Sequence, residues 1–197
     1  MQIISPVGPS VGLFGGSFNP AHAGHMHLAR TAQTAFGLDQ IWWLVSPQNP
    51  LKPAQPPYEK RVASVEALRL PRSMKVAHLE RDFGTQYTVD LIARVKRHYP
   101  HNRFVFLMGA DNFSQLPKWR DWHDIVHMVP IGVIARPEKS GVIDLKPRLG
   151  QAATLYQKAR IPETASHVLP DATAPAWSYV TTPLNRLSSS AIRALKQ

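Results

Sequence analysis

The stretch that decides the fold is Gly15-Gly16-Ser17-Phe18-Asn19-Pro20-Ala21-His22-Ala23-Gly24-His25. It follows the apolar run 11–14, which predicts a short buried strand. After it, a helix is predicted by apolar residues that recur at spacings of three and four, namely Leu28, Ala29, Ala32, Ala35 and Phe36. The stretch is therefore a turn from a strand into a helix. Its two glycines allow a sharp turn and let a ligand approach the backbone closely.

The residue types in this turn favour phosphate chemistry. A helix N-terminus presents backbone N–H groups and the positive end of the helix dipole, which together attract anions. His22 and His25 flank this helix start, so two imidazoles can reach the same anion. Two glycines alone are more often ordinary turn residues. A His pair can also ligate a metal, but no Cys, Asp or Glu partner lies nearby in the sequence, so we expect no metal held by protein ligands.

The complete stretch resembles a known signature. A His-x-Gly-His motif after the first strand is typical of the nucleotidyltransferase superfamily, and the fuller form from Gly15 to His25 resembles the bacterial nicotinate-nucleotide adenylyltransferases in particular. The related pantetheine-phosphate adenylyltransferases usually carry Thr or Ser and Asp around the position of Asn19. Class I aminoacyl-tRNA synthetases share the His pair, but their catalytic domains are normally larger than this chain.

Length and composition indicate an ordinary globular protein. With 197 residues, 44% of them hydrophobic, the chain is expected to form one domain, or one domain with an insertion, and the resemblance implies a single nucleotidyltransferase domain over 1–197. It has no apolar run of membrane-spanning length and no secretory signal, so we expect a cytoplasmic protein without a membrane partner. The absence of cysteine excludes disulfides, a thiolate nucleophile and Cys-based zinc sites.

The formal net charge of +10 raises a second hypothesis, a nonenzymatic RNA-binding module. That module would bind RNA in a salt-sensitive manner without turning over ATP. However, the basic residues are scattered, and the only adjacent pairs are Lys60-Arg61 and Lys96-Arg97. A dispersed basic surface that attracts small polyphosphates accounts for the charge equally well. We therefore expect small-molecule substrates and no nucleic acid, and the sequence leaves a homo-oligomer open.

A proline-rich segment, 47–57, follows the predicted strand 40–45. So many prolines predict a loop, and at the carboxyl end of a strand in an open α/β sheet a loop lies where ligands bind. The alternative is a stiff linker. Asn49-Pro50-Leu51-Lys52 resembles the Asn-Pro-x-Lys loop with which these adenylyltransferases close over their substrates. The resemblance implies that Asn49 contacts the mononucleotide and Lys52 the phosphates.

Further on, the pattern predicts a helix over 58–70, a strand over 74–78, a loop over 79–86 and a helix over 87–99. Thr85-Gln86-Tyr87-Thr88 lies where the last of these helices begins. By resemblance, Thr85, Tyr87 and Thr88 are candidates for binding the nicotinate ring, although Gln86 departs from the usual hydroxyl residue. Thr85 as a simple helix N-cap is the alternative.

Residues 103–108 form the clearest predicted strand, and Gly109-Ala110-Asp111 and Leu116-Pro117-Lys118-Trp119-Arg120 follow it. These resemble the family's Gly-x-Asp and Leu-Pro-x-Trp signatures. Asp111 can accept hydrogen bonds from ribose hydroxyls, the Trp119 ring offers a face to a pyridine, and Arg120 can offset a carboxylate or phosphate. The alternatives are a helix cap, a core residue and a solvated side chain, respectively. The motif favours Trp119 over Trp122.

Two further signals lie towards the end of the sequence. A strand over 130–135 precedes Arg136, which would point toward the phosphates, with a solvated Arg as the alternative. The second signal resembles the family's Ile-Ser-Ser-Thr-x-Ile-Arg motif and reads Leu187-Ser188-Ser189-Ser190-Ala191-Ile192-Arg193. Hydroxyl groups and the N–H groups of a helix start can together hold phosphates. The alternative is a Ser-rich helix cap without a ligand. Between them, residues 138–170 carry no motif beyond a predicted helix over 151–160.

Strands alternate with helices along the chain, which predicts an α/β protein with a Rossmann-like parallel sheet and helices on both faces. No Gly-x-Gly-x-x-Gly or P-loop is present, which disfavours dinucleotide oxidoreductases and P-loop NTPases. The resemblance implies transfer of AMP from ATP, with Mg²⁺, to nicotinate mononucleotide, giving nicotinate adenine dinucleotide and pyrophosphate in NAD biosynthesis. Nicotinamide mononucleotide and phosphopantetheine remain open as acceptors.

The resemblance implies a role for each motif. His22 and His25 would be catalytic, because they would contact the α- and β-phosphates and the developing charge. The ATP- and phosphate-binding residues would be Gly15, Gly16, Ser17, Phe18, Lys52, Gly109, Asp111, Arg136, Ser188, Ser189 and Arg193. The mononucleotide-binding residues would be Asn49, Thr85, Tyr87, Thr88, Trp119 and Arg120.

Overall fold

A computed structural model of the protein describes residues 8–47, 55–135 and 146–181. Six of the predicted ligand-binding residues lie outside these ranges: Asn49, Lys52, Arg136, Ser188, Ser189 and Arg193.

Within the described residues the chain forms one sheet of seven strands in the order β3-β2-β1-β4-β5-β7-β6. Every neighbouring pair is parallel, which confirms the predicted parallel sheet. The strands are β1 Ser10–Gly16, β2 Gln40–Val45, β3 Met74–Val76, β4 Arg103–Gly109, β5 Ile131–Ile134, β6 Arg160–Ile161 and β7 Trp177–Val180. The sequence predicted the first five and missed β6 and β7.

The helices of the described residues are α1 Ala23–Ala35, α2 Tyr58–Glu66, α3 Leu79–Asp82, α4 Thr88–His98, α5 Ala110–Gln115, α6 Trp122–Met128 and α7 Gln151–Leu155. Several are short, and no helix in this part of the chain is long and apolar enough to cross a membrane.

Three predicted elements differ from the structure. The predicted loop 79–86 contains α3, because Leu79 is buried in the core and the carbonyl of His78 accepts a bond from the N–H of Asp82. Helix α2 ends four residues early, before Arg69 adopts a φ of 53°. Helix α7 stops at Leu155. The carbonyl of the following residue, Tyr156, accepts a hydrogen bond from the indole N–H of Trp177 at 2.8 Å.

The sheet separates two apolar clusters, as the alternation along its strands requires. On β1, Val11 and Leu13 belong to one cluster and Phe14 to the other. The first cluster includes buried residues of α4, α5, α6 and α7, and the second includes those of α1 and α2. Helices therefore cover both faces, as the sequence predicted.

The chain changes direction across the sheet at β1. From β1 it passes outward to β2 and β3, and it then returns to β4 on the other side of β1. In open α/β sheets such a switch point opens a crevice at the carboxyl ends of the two strands. Phe14 pairs with Leu107, and each strand continues for two residues beyond this pair, β1 to Gly16 and β4 to Gly109. The first motif and the Gly-x-Asp motif thus leave the sheet side by side.

Candidate active site

The turn between β1 and α1 is built differently from the sequence prediction. Gly15 and Gly16 lie within β1, and neither has a positive φ, so the prediction that they make the turn is wrong. The turn contains Phe18, with a φ of 44°, and a cis peptide bond between Asn19 and Pro20. Gly16 is required for space, because a Cβ there would lie 2.9 Å from the Phe18 ring. At Gly15 a Cβ would make only ordinary contacts.

His22 is the N-cap of α1, and its Nδ1 accepts a hydrogen bond from the N–H of Gly24 at 3.1 Å. Because Nδ1 is the acceptor, a neutral His22 carries its proton on Nε2, which is then a donor. The ring centroids of His22 and His25 are 3.9 Å apart, and the two residues are only 7% and 9% exposed. The structure therefore brings the two predicted catalytic imidazoles together at the start of a helix.

An aromatic cluster supports the second imidazole. The ring of His25 meets the ring of Phe18 edge to face, with centroids 5.1 Å apart. Phe18 in turn packs on Trp43 at 5.1 Å, and Phe14 packs on Trp43 at 4.9 Å. These buried rings restrict the rotation of His25 and exclude water from one side of it.

Gly109 ends β4 and is the N-cap of α5. Asp111 lies exposed in the first turn of α5, one residue beyond the start of the helix. Because the cap is Gly109, the alternative that Asp111 only caps this helix is wrong. Asp111 therefore lies just beyond the carboxyl end of β4, at the same edge of the sheet as the turn that follows β1.

Two separate motifs meet at Tyr87 and Arg120. The guanidinium carbon of Arg120 lies 4.6 Å from the centre of the Tyr87 ring, and its Nε lies 3.3 Å from a carboxylate oxygen of Asp121. Trp119, next to Arg120, is partly buried and meets Phe106 edge to face at 6.2 Å. Trp122 is only 7% exposed and belongs to the core, which agrees with the choice of Trp119 as the tryptophan available to a ligand.

Thr85 lies two residues before Tyr87 and is buried, but it does not cap α4. Its N–H donates to the carbonyl of Glu80 at 2.9 Å, and its hydroxyl lies 3.5 Å from the same oxygen. The N-cap of α4 is Tyr87, so the alternative of Thr85 as the cap is wrong. Thr88, the third predicted ring contact, is the first residue of α4 and is partly buried.

Sequence reasoning missed Arg61, which is only 2% exposed. The Arg61 guanidinium donates to the carbonyls of Ser17 at 2.9 Å, Ser46 at 2.6 Å, Pro47 at 2.6 Å and Pro56 at 3.0 Å. A signal was available, because Arg61 lies four residues before Val65, on the apolar side of the predicted helix. A basic residue in that position favours a buried guanidinium that donates hydrogen bonds to nearby backbone carbonyls.

A partly buried carboxyl lies near Arg61. Burial raises the pKa of Glu80 to about 7, against the opposing effects of a hydrogen bond with the Ser46 side chain and of the Arg61 charge. Glu80 therefore changes its protonation state near neutral pH, next to the carboxyl end of β2.

The fold and these motifs agree with what is known of other proteins. A family model described as cytidylyltransferase-like matches residues 13–195. A protein of Ruegeria pomeroyi named as a probable nicotinate-nucleotide adenylyltransferase is 46% identical over 95% of this chain and 86% of its own. A protein of the same name from Cereibacter sphaeroides is 48% identical over 93% of this chain and 96% of its own. The chain belongs to the cytidylyltransferase-like family and, within it, to the nicotinate-nucleotide adenylyltransferases.

Among solved structures, the nicotinic acid mononucleotide adenylyltransferase of Plasmodium falciparum complexed with NaAD has the same fold. Its TM-score to this chain is 0.69, with 18% sequence identity over 95% of this chain and 83% of that one.

The raised pKa of Glu80 predicts a pH-dependent stability. Because its folded pKa of about 7 lies above the ordinary glutamate pKa of 4.5, the folded state holds a proton that the unfolded state releases between these values. The free energy of unfolding therefore falls as the pH rises through this window. We expect urea titrations at about pH 5 and about pH 8 to show a smaller fall for Glu80→Gln than for the unmodified protein.

Glu66 on α2 is exposed, so Glu66→Gln serves as the matched control and should keep the full fall. An equal fall in the unmodified protein and in Glu80→Gln would show that Glu80 does not titrate in this window.

Proposed function

We propose that this chain transfers AMP from ATP to nicotinate mononucleotide and releases pyrophosphate, forming nicotinate adenine dinucleotide for NAD biosynthesis. The observation that carries the proposal is the close pair of His22 and His25 at the start of α1, beside the switch point where β4 ends in Gly109. Relatives that match more than nine tenths of the chain are named as probable nicotinate-nucleotide adenylyltransferases. The proposal includes a single domain over 1–197 and a cytoplasmic location, as expected from the sequence.

The reaction needs no nucleophile from the protein. A phosphate oxygen of the mononucleotide is ionised at neutral pH and can attack the α-phosphorus of ATP, with pyrophosphate as the leaving group. The protein then contributes position and electrostatic stabilisation. The Nε2–H of His22 and the imidazole of His25 are the donors we assign to the α- and β-phosphates, and the positive end of the α1 dipole adds to their attraction for these anions.

Further phosphate contacts are proposed from the sequence resemblance alone. Ser188, Ser189 and Arg193 would hold the outer phosphates, with Lys52 and Arg136 assisting. Asn49 would contact the mononucleotide. These six residues lie outside the described ranges.

The described residues suit a metal that arrives with ATP. In these parts of the chain, no group of three or more His, Asp or Glu side chains could hold a metal ion. The donors around His22 are N–H groups, which match phosphate oxygens and not cations. Mg²⁺ would therefore be coordinated mainly by the phosphates and water, where it neutralises their charge.

We assign the acceptor's pyridine ring to the region of Trp119, Tyr87 and Arg120. Trp119 is partly buried and can present a ring face to the pyridine. The following residue, Arg120, provides a cation that lies over the Tyr87 ring. A cation there favours a nicotinate carboxylate over a neutral carboxamide. Thr85 and Thr88 flank Tyr87 where α4 begins, and we assign them to the same pocket.

The test of the proposal is pyrophosphate release from ATP and Mg²⁺ with three acceptors measured side by side: nicotinate mononucleotide, nicotinamide mononucleotide and phosphopantetheine. We expect the highest kcat/KM with nicotinate mononucleotide. Preference for another acceptor would retain the phosphate site and overturn the pyridine pocket. Absence of release with all three, together with salt-sensitive binding of RNA, would favour the RNA-binding hypothesis.

The catalytic pair gives a sharper prediction. His22→Ala and His25→Ala each remove a donor from the position where negative charge develops, so we expect kcat to fall by about 10²-fold or more while the fold is retained. The measurement is steady-state kinetics together with circular dichroism.

His101, which is exposed and lies before β4 at the opposite end of the strand from Gly109, is the matched control. His101→Ala should keep the unmodified kcat. Near-normal turnover in both His22→Ala and His25→Ala would contradict the assignment.

A further inference from the structure

The segment 17–21 lies between β1 and α1, outside the bounds of both elements, and leads into His22, whose carbonyl accepts the first bonds of α1 from the N–H groups of His25 and Met26. It also contains Phe18 with a φ of 44°, a conformation that is unfavourable for a residue with a side chain. Such a backbone persists only where its surroundings hold it in place. The surroundings here include one face of α2.

Arg61 holds the beginning of this segment. Four of the five guanidinium hydrogens have carbonyl acceptors, and these belong to Ser17, Ser46, Pro47 and Pro56. One buried side chain therefore joins the phosphate motif, the residues after β2 and the residues before α2. Loss of the guanidinium would leave several of these carbonyls without a partner in a buried place.

Ser64, one helical turn beyond Arg61 on α2, holds the rest of the segment. Its hydroxyl accepts a hydrogen bond from the N–H of Ala21 at 3.0 Å. The same oxygen lies 3.3 Å from the carbonyl of Phe18 and 2.7 Å from that of Arg61, both acceptors for its single proton. Ser64 thus contacts the backbone on both sides of the Asn19–Pro20 bond.

We propose that Arg61 and Ser64 are positioning residues for the transfer reaction, because they anchor segment 17–21 to α2 and thereby place the imidazole of His22 against the reacting phosphate. Neither residue needs to touch a substrate. The inference rests on the proposed function for its kinetic consequence, whereas its structural consequence can be measured without substrate.

The chemistry of the anchor is specific to arginine. A lysine would retain the positive charge, but a single ammonium nitrogen cannot reach carbonyls that the guanidinium contacts through three separate nitrogens. Arg61→Lys should therefore behave much more like Arg61→Ala than like the unmodified protein. Ser64→Ala removes the acceptor of the Ala21 N–H and one hydroxyl donor, fewer hydrogen bonds than Arg61 makes, so its effect should be in the same direction and smaller.

Steady-state kinetics of Arg61→Ala, Arg61→Lys and Ser64→Ala test the proposal. Displacement of a catalytic group by about 1 Å can cost about 10²-fold in rate, so we expect kcat of the Arg61 variants to fall by about 10²-fold. The KM for ATP should change much less, because most phosphate contacts remain. Guanidinium ion, added far below denaturing concentrations, should restore part of the kcat of Arg61→Ala and none of that of His22→Ala.

Two control variants on α2 separate positioning from general destabilisation. Lys60→Met removes a neighbouring positive charge from an exposed position and should leave kcat unchanged. Val65→Ala removes volume from a fully buried position and should lower the melting temperature while kcat, measured well below that temperature, is retained. Equal losses of kcat in Val65→Ala and Arg61→Ala would overturn the proposal.

Hydrogen exchange without substrate provides the second readout. We expect the amides of residues 17–25 to lose protection by about tenfold or more in Arg61→Lys and Ser64→Ala, and to keep it in Val65→Ala. Unchanged exchange would overturn the proposal even if Arg61→Ala fails to fold. If the unmodified protein does not turn over substrate but exchange changes as expected, the proposed function fails while the structural anchor stands.

Discussion

The pairing of β1 with β4 is the constraint on which the rest of the arrangement depends. These parallel strands carry the two central motifs at their carboxyl ends, and each ends two residues beyond the Phe14–Leu107 pair, at Gly16 and at Gly109. If β1 paired only with β2, the histidine motif and the Gly-x-Asp motif would leave the sheet at separate places. Because the chain returns to β4 on the other side of β1, both motifs border one crevice.

Around that crevice, the structure uses backbone carbonyls and aromatic rings to fix flexible groups. Arg61 and Ser64 of α2 hold the segment before His22, and Phe18 and Trp43 support His25. Rigid donors of this kind suit a reaction in which the attacking and leaving groups are both phosphate oxygens, because the protein then has only to place charge and exclude water.

Much of this could be predicted from the sequence, since β1, β2, β4 and β5 are largely apolar runs and the motifs of the first turn and of Gly109-Ala110-Asp111 follow β1 and β4 directly. The pattern missed β6, which is only two residues long, and β7, which follows a segment of 3₁₀ turns. It also missed Arg61, because a position on the apolar side of a helix does not show which carbonyls a guanidinium reaches; these contacts come from distant residues such as Ser17 and Ser46. Gly15 and Gly16 were assigned to the turn for their flexibility, whereas the actual turn is held by contacts to Phe18 from distant residues.

The central claim is that the two motifs form one site for a dinucleotide. A crystal structure of the protein with nicotinate adenine dinucleotide tests it most directly. The diphosphate should lie within hydrogen-bonding distance of His22 Nε2 and of the His25 imidazole, with the pyridine ring beside Trp119. A diphosphate bound away from His22 and His25, or a pyridine ring remote from Trp119, would contradict it.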